Sequence, residues 1–383
     1  MKGTKTIQID PELGQDHYGR DTAGRQFFFG KDSPAKLAGW IVFTVLLCLH
    51  FCLTYLSNPA YLNMERYLQG QAGAPYQYRV LPMYIFRALI HTRAVEAIVR
   101  HVPKPLSDPY QVIQFGIAFF TILGAVLATS ATIRRLTGDR VFARWTSLLV
   151  VYMTYFNLAP HWGLNYTLPY DVPSLFFFCL GVYLIISRHW RVYYLMFPLA
   201  VLNRETACFL TVFFVVWEWI RSGEGHSAVV EPVSKRVMRL LPHVLVQAAI
   251  WIGLKIYLAH VFVSNPAAGD LENGSIFAGH LSYNLHEFVK PQQWPVFLSI
   301  CGFLLPALWI GRKWIRCAGI SWGCGIVMGL WFLGMMKVGV TTEIRIFSEW
   351  TAFAVPALAL IVYHRFLPVP EGNHKDAAVE YGD

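Results

Sequence analysis

Long apolar runs recur along this chain and predict its helices. A helix that crosses a bilayer needs about 20 apolar residues, and windows near this length fall at 37–57, 111–131, 145–160, 171–187, 240–263, 294–311, 318–337 and 350–364. The pattern predicts an all-α fold: a polytopic membrane helix bundle of about nine or ten transmembrane helices. It divides the chain into a cytoplasmic N-terminal tail (1–36), a single membrane-embedded domain (37–366) and a cytoplasmic C-terminal tail (367–383).

Composition and charge agree with a membrane location. Charged residues make up 14% of the chain and hydrophobic residues 55%, against roughly 25% charged residues in an average soluble protein. With the N-terminus in the cytoplasm, most of the 32 Lys and Arg fall in the inner segments, as the positive-inside rule requires. The basic excess therefore reports orientation and does not indicate a nucleic-acid partner. We expect an integral plasma (inner) membrane protein with both termini cytoplasmic.

A further apolar stretch, 192–220, is interrupted by the polar sequence Asn203-Arg204-Glu205-Thr206. Its flanking residues Arg191 and Arg221 both fall on the inner side, so the stretch is predicted to be a broken hairpin of two short helices. Ionisable residues between apolar helices are costly and indicate a functional site. The alternative is a polar turn in which Asn203 caps the returning helix.

The first outer loop, 58–110, is too long for a simple connector and contains apolar stretches such as 81–100, predicted to be interfacial helices. In this topology the outer face also collects unusual polar residues from separate parts of the chain: Glu65, Arg79, Asp171, Arg204, Glu205, Glu343 and Arg345. Simpler roles exist for two of them. Asp171 is also placed to be an N-cap, and Arg345 is placed to pair with Glu349 four residues on.

These residue types indicate a particular chemistry. Arginine binds phosphate oxygens through its bidentate fork, and a carboxylate can accept the proton of an attacking hydroxyl. The set therefore predicts a site for a phosphorylated or pyrophosphorylated ligand at the outer face.

The chain resembles the GT-C class of membrane glycosyltransferases, which use polyprenyl-phosphate sugars. The resemblance lies in the long first outer loop with interfacial helices, the polytopic core and the outward acidic and arginine residues, from about residue 37 to 366. Four local sequences are similar to those of bacterial membrane proteins associated with exopolysaccharide polymerases and GT-C enzymes: YQYRVLP (76–82), YDVPSLFFF (170–178), LNRETACFL (202–210) and TEIRIFSE (342–349).

The resemblance implies sugar transfer at the outer face from a lipid-linked sugar donor to a glycan or lipid acceptor, among membrane lipids. The implied catalytic base is Glu65 in the first outer loop; the family's paired acids are absent there, which makes Asp171 an equal candidate. Three arginines would hold the donor phosphate, and three neighbours would orient them. The arginines are Arg79, Arg204 and Arg345, and the orienting residues are Glu205, Glu343 and Asn203.

No cofactor is assigned, and the alternative role for Glu205 and Glu343 is to bind a divalent metal ion. Two other functions stay open: a transporter or flippase of a lipid-linked or anionic substrate, indicated by the broken hairpin, and a non-catalytic scaffold of an envelope assembly. For the glycosyltransferase, we expect Asp171→Asn and Arg204→Ala to abolish transfer without changing protein abundance.

Overall fold

The computed structural model describes residues 33–102, 106–160, 165–222, 232–266 and 280–367. Within these ranges the fold is all-α, as predicted, and the only β pairing in them is an isolated parallel bridge between Ala60 and Thr167. The two predicted cytoplasmic tails lie outside the described residues, apart from 33–36 and Leu367.

The α-helices follow one another in this order: α1 (Pro34–Leu56), α2 (Met64–Gln69), α3 (Val80–Leu89), α4 (Arg93–His101), α5 (Pro109–Thr137), α6 (Arg140–Ser147), α7 (Leu149–Leu158), α8 (Asp171–Ile186), α9 (Trp190–Asn203), α10 (Cys208–Arg221), α11 (Val233–Val261), α12 (His280–Val289), α13 (Trp294–Leu298), α14 (Leu305–Gly311), α15 (Ala318–Val338) and α16 (Thr351–Phe366). Short 3-10 turns, among them Tyr76–Tyr78, Glu205–Ala207 and Ile344–Trp350, join several of them.

Five helical segments are long and apolar enough to cross a membrane. They are α1, α5, α11, α15 and the continuous segment Ile344–Phe366, which joins a 3-10 turn to α16. The chain is therefore a multi-pass membrane protein by length and composition of its helices. The other predicted crossings coincide with shorter helices, such as the 16-residue α8, so the total of nine or ten stays a prediction.

Two predicted spans are divided in the structure. The stretch 145–160 falls across α6 and α7, which meet at Leu148. The stretch 294–311 breaks between α13 and α14, where Cys301, Gly302 and Phe303 adopt positive φ. Side chains of α7 stabilise this break: Asn157 Oδ1 accepts from the Cys301 amide at 2.9 Å, and Tyr152 donates to the Gly302 carbonyl at 3.2 Å.

The apolar stretch 81–100 of the predicted outer loop also forms two helices and not one. Thr92 separates α3 from α4, and its side chain accepts a hydrogen bond from the amide of Val95 at the start of α4. Helices α2 and α3 build a small apolar cluster that includes Tyr67, Val80 and Met83 and rests on Leu258 of α11, while Val95 of α4 belongs to a second cluster with Phe86 and Ile113. The first outer loop is thus folded against the bundle.

The central helices are α5, α8 and α16. The most extensive helix pairing joins α5 to α8, and both also contact α16. In the final spanning segment, 89% of the residues in the apolar window are buried inside the protein. This segment therefore runs through the interior of the bundle, and its first turn carries polar residues into that interior.

The stretch 190–221 folds as a broken hairpin. Its arms α9 and α10 are 14 residues each, or about 21 Å long at 1.5 Å per residue. Their far ends return to one another: Arg188 pairs with Glu218 at 3.0 Å, and the rings of Trp190 and Phe214 are 5.4 Å apart. The hydrocarbon core of a bilayer is roughly 30 Å thick, so an arm of this length ends before it has crossed the core. The tip of the hairpin therefore lies within the bundle.

Candidate functional site

Asp171 begins α8 and is enclosed by two arginines. Its carboxylate is fully buried, with Arg204 Nη1 at 3.3 Å from Oδ1 and Arg345 Nη1 at 3.5 Å from Oδ2. The N-cap interpretation is wrong, because Tyr170 occupies the cap position and makes no side-chain cap. The carboxylate instead joins the hairpin tip to the start of the last span.

Glu349 is the second buried carboxylate on Arg204. Arg204 Nη1 donates to Glu349 Oε1 at 2.8 Å, and the hydroxyls of Ser174 and Ser348 donate to the same carboxylate at 2.7 and 3.0 Å. The predicted pairing of Arg345 with Glu349 is wrong, because the segment is a 3-10 turn. Three residues per turn place positions i and i+4 on different sides.

Two further ion pairs extend the arrangement. Arg345 Nη2 lies 2.5 Å from Glu343 Oε2. Arg79 donates from Nη2 and Nε to the two oxygens of Glu205 at 2.9 and 3.3 Å, and its guanidinium carbon lies 4.2 Å from the centroid of the Tyr170 ring. We call the seven residues the charge network: Arg79, Asp171, Arg204, Glu205, Glu343, Arg345 and Glu349.

The charge network is buried at its centre and accessible at two edges. The side chains of Asp171 and Glu349 are 0% exposed and that of Arg204 is 4% exposed, whereas those of Glu343 and Glu205 are 20% and 40% exposed. An incoming ligand therefore meets Glu205 and Glu343 first. These two carboxylates shield the arginines behind them.

Several buried polar atoms around the charge network have no hydrogen-bond partner among the described residues. They are Arg204 Nε, Arg345 Nε, Asn203 Oδ1, Thr206 Oγ1 and the Tyr170 hydroxyl. Buried polar groups are nearly always hydrogen-bonded in native proteins, so each such group calls for an explanation. These atoms have hydrogen-bonding capacity that a polar ligand or an ordered water could use.

The structure places the two remaining predicted residues differently. Asn203 ends α9 and donates from Nδ2 to the Tyr170 carbonyl at 3.0 Å; the cap position of α10 is Ala207, so the capping alternative is wrong. Glu65 lies exposed on α2 and pairs with no member of the charge network. Six of the seven residues that the sequence places on the outer face thus meet, and Glu65 stays apart.

The charge network mixes carboxylates with arginines, whereas a metal site groups its anionic ligands. Four carboxylates alternate with three arginines, so each acid is next to a cation. In the described parts of the chain, no group of three or more His, Cys, Asp or Glu is placed to hold a metal ion. A metal role for Glu205 and Glu343 therefore has no ligand cluster to support it there.

Glu349 belongs to the charge network, although the sequence pattern did not identify it as a site residue. The available signal was an acid next to the last apolar run, the same signal that singled out Glu343 and Arg345. Comparison with known proteins adds no assignment: the chain matches no protein-family model, and no curated protein and no solved structure is significantly similar to it.

Proposed function

We propose that the chain is a membrane glycosyltransferase that transfers a sugar from a polyprenyl-phosphate-linked donor to a hydroxyl of a glycan or lipid acceptor at the outer face. The observation that carries the proposal is the charge network itself, in which three arginines lie behind two accessible carboxylates in a recess of the bundle. It supplies phosphate-binding groups and a proton acceptor at one place.

The structure favours an exchange of partners on donor binding. The arginines are already paired, so a donor phosphate must replace a carboxylate, and the accessible pair Arg79–Glu205 is the easiest to open. Phosphate then takes the bidentate position on Arg79. The released Glu205 carboxylate is free to act as a base.

The transfer itself balances without a further reactant. The acceptor oxygen forms a bond to the anomeric carbon while the bond from that carbon to the phosphate oxygen breaks. The acceptor proton passes to Glu205, and the lipid phosphate leaves with the electron pair, its charge stabilised by arginine. Asp171, fully buried between Arg204 and Arg345, is a positioning residue in this scheme.

The test is sugar transfer in membranes that contain the full chain, supplied with a panel of polyprenyl-phosphate hexoses. We expect Glu205→Gln to lower the rate by about 100-fold or more, since a general base typically contributes 10²–10⁴. Glu65→Gln tests the base that the resemblance implies: loss of transfer in Glu65→Gln but not in Glu205→Gln would assign the base to Glu65, which lies outside the charge network. Glu96→Gln, at an exposed surface pair with Arg100, is the neutral control. Full activity of Glu205→Gln would contradict the mechanism.

The second candidate is a transporter or flippase. It is favoured by the break between α9 and α10, where extended Arg204 and a 3-10 turn interrupt the helices beside buried acids, as in discontinuous transporter helices. Movement of a labelled lipid-linked substrate across liposomes by the purified chain, with no transfer product, would decide for it. If the parent chain neither transfers a sugar nor moves the lipid-linked substrate, and substitutions at Asp171 and Arg204 have no effect beyond folding, the scaffold is favoured instead.

A further inference from the structure

Three tyrosines pack together next to the accessible edge of the charge network, with the rings of two of them tilted by 56° and 53° against the ring of Tyr61. The ring centroid of Tyr61 is 5.3 Å from that of Tyr76 and 4.9 Å from that of Tyr166. Tyr61 is 43% exposed, and the other two are half-buried. We call Tyr61, Tyr76 and Tyr166 the tyrosine platform.

Backbone contacts hold two members of the platform in place. Tyr61 follows Ala60 and Tyr166 precedes Thr167, the two residues of the isolated bridge. The amide of Thr167 donates to the Pro59 carbonyl at 3.0 Å, and its hydroxyl donates to the Tyr55 and Asn58 carbonyls at 2.9 and 3.1 Å. The end of α1 and the segment before α8 are thus tied together, so the rings need little ordering on binding.

The platform is continuous with the accessible ion pair. The guanidinium carbon of Arg79 lies 5.7 Å from the centroid of Tyr76 and 4.2 Å from that of Tyr170. The same guanidinium binds Glu205, whose side chain is 40% exposed. Behind it, the hydroxyl of Tyr170 is buried and has no partner among the described residues. Aromatic faces and polar groups therefore border one recess.

The pairing of these groups matches the chemistry of a sugar ring. The faces of aromatic rings carry negative charge density, and one face of a pyranose presents C–H groups of the opposite partial charge. The hydroxyls at the rim of the ring require donors and acceptors such as an arginine and a carboxylate. A binding site lined by aromatics with a few placed polar groups is typical for small molecules.

We propose that the tyrosine platform is the subsite for the pyranose ring of a phosphate-linked hexose whose phosphate binds Arg79. The inference rests on the proposed function, because it names the sugar-binding part of the same site. Its ligand chemistry is a hexose joined to an anionic phosphate. A phosphate headgroup alone, as on an ordinary lipid, does not use the platform.

The experiment compares two probes on the purified full chain in detergent by titration calorimetry. One probe is a ten-carbon prenyl phosphate, and the other is the same lipid phosphate carrying glucose, galactose or mannose. The measured quantity is the ratio of the two affinities for the best-bound hexose. We expect Tyr61→Leu and Tyr166→Leu to reduce the affinity for the sugar-bearing probe about tenfold, the scale of one good aromatic contact. Affinity for the bare prenyl phosphate stays unchanged.

Two further variants make the comparison specific. Tyr61→Phe keeps the ring and should retain most of the affinity for the sugar-bearing probe. Tyr283→Leu is the matched control, since Tyr283 has the same 43% exposure on α12 but is not part of the platform.

The outcomes separate the subsite from the proposed function. If the parent chain binds both probes equally, or if Tyr61→Leu and Tyr166→Leu keep the full preference for the hexose, the subsite is wrong while phosphate binding stands. If the parent chain binds neither probe, the proposed function fails and the subsite fails with it. A lost preference in Tyr283→Leu as well would also overturn the assignment to the platform.

Discussion

Among single residues, Arg204 is the cation that two buried carboxylates of the charge network share. Both of its carboxylate partners, Asp171 and Glu349, are fully buried. Removing ions from water is costly, and this cost is offset only while each charge keeps its partner. The same guanidinium is therefore needed for folding as well as for any ligand chemistry.

Replacing Arg204 should destabilise the whole chain. Arg204→Ala leaves Glu349 without a cation and Asp171 with Arg345 alone, and breaking a buried pair in this way costs about 3–5 kcal/mol. The control is Arg100→Ala: Arg100 is 72% exposed and pairs with Glu96 on the surface of α4, where about 0–1 kcal/mol is expected. Thermal unfolding of the two purified variants in the same detergent gives the comparison.

Equal melting temperatures for the two variants would show that the charge network contributes nothing to stability. A clear loss only in Arg204→Ala would change how activity data are interpreted. In that case the expectation from the sequence, that Arg204→Ala leaves the abundance of the protein unchanged, is wrong. Function at this site has to be tested with shape-conserving changes such as Glu205→Gln, at the accessible edge.

At the scale of elements, the packing of α15 against α10 fixes where the hairpin stands. Gly319 and Gly323 face the second arm: a Cβ added at these positions would come within 2.5 Å of Trp217 Cε3 and 2.7 Å of Phe213 Cε2. The same helix carries Gly325 and Gly329, where an added Cβ meets no atom of the described residues within 4 Å. These four glycines of one helix thus fall into two physical classes.

Alanine substitution should separate these two classes. Gly323→Ala forces Phe213 and its arm to move, and overpacking of this kind typically costs about 1–3 kcal/mol. Gly329→Ala adds a methyl group in open space and removes flexibility from a helix interior, so it should be neutral or stabilising by up to about 1 kcal/mol. Melting temperatures in detergent measure both. A larger loss in Gly329→Ala would contradict the packing of α10 on α15.

At the scale of the whole molecule, polar chemistry is collected at one end of the bundle. Helix α5 is 29 residues long, about 43 Å at 1.5 Å per residue, so its two ends reach opposite faces of a bilayer. Met64 of the first loop and Tyr110 at the start of α5 belong to one apolar cluster, while the exposed Arg134 lies near the other end of α5. The charge network and the first loop share the Tyr110 end.

This arrangement predicts a labelling pattern in intact cells. A membrane-impermeant maleimide should label Gln69→Cys, at the exposed end of α2, without treatment. Arg134→Cys should be labelled only after the membrane is permeabilised, since the positive-inside rule places it in the cytoplasm. The unsubstituted chain is the control, because its labelling measures the background from the native cysteines. Labelling of Arg134→Cys alone in intact cells would reverse the orientation.

The fold class, the membrane location and the break in the hairpin all follow from the amino-acid sequence. These features are local: an apolar run of given length predicts a helix, and charges within such a run predict its interruption. The positions of Asn203, Arg204 and Glu205 at the tip followed from the same local pattern. The division of 294–311 did not, since side chains of α7 stabilise that break.

The partners in the ion pairs, in contrast, are set by the packing of the helices. Arg204 and Glu349 are 145 residues apart in sequence, and Arg79 and Glu205 are 126 apart. Spacing within one helix suggested Arg345 and Glu349 instead, and it gave no reason to separate Glu65 from the other outward acids. Charge attraction acts through space and not along the chain, so the pairs depend on how α3, α8, the hairpin and the last span pack together.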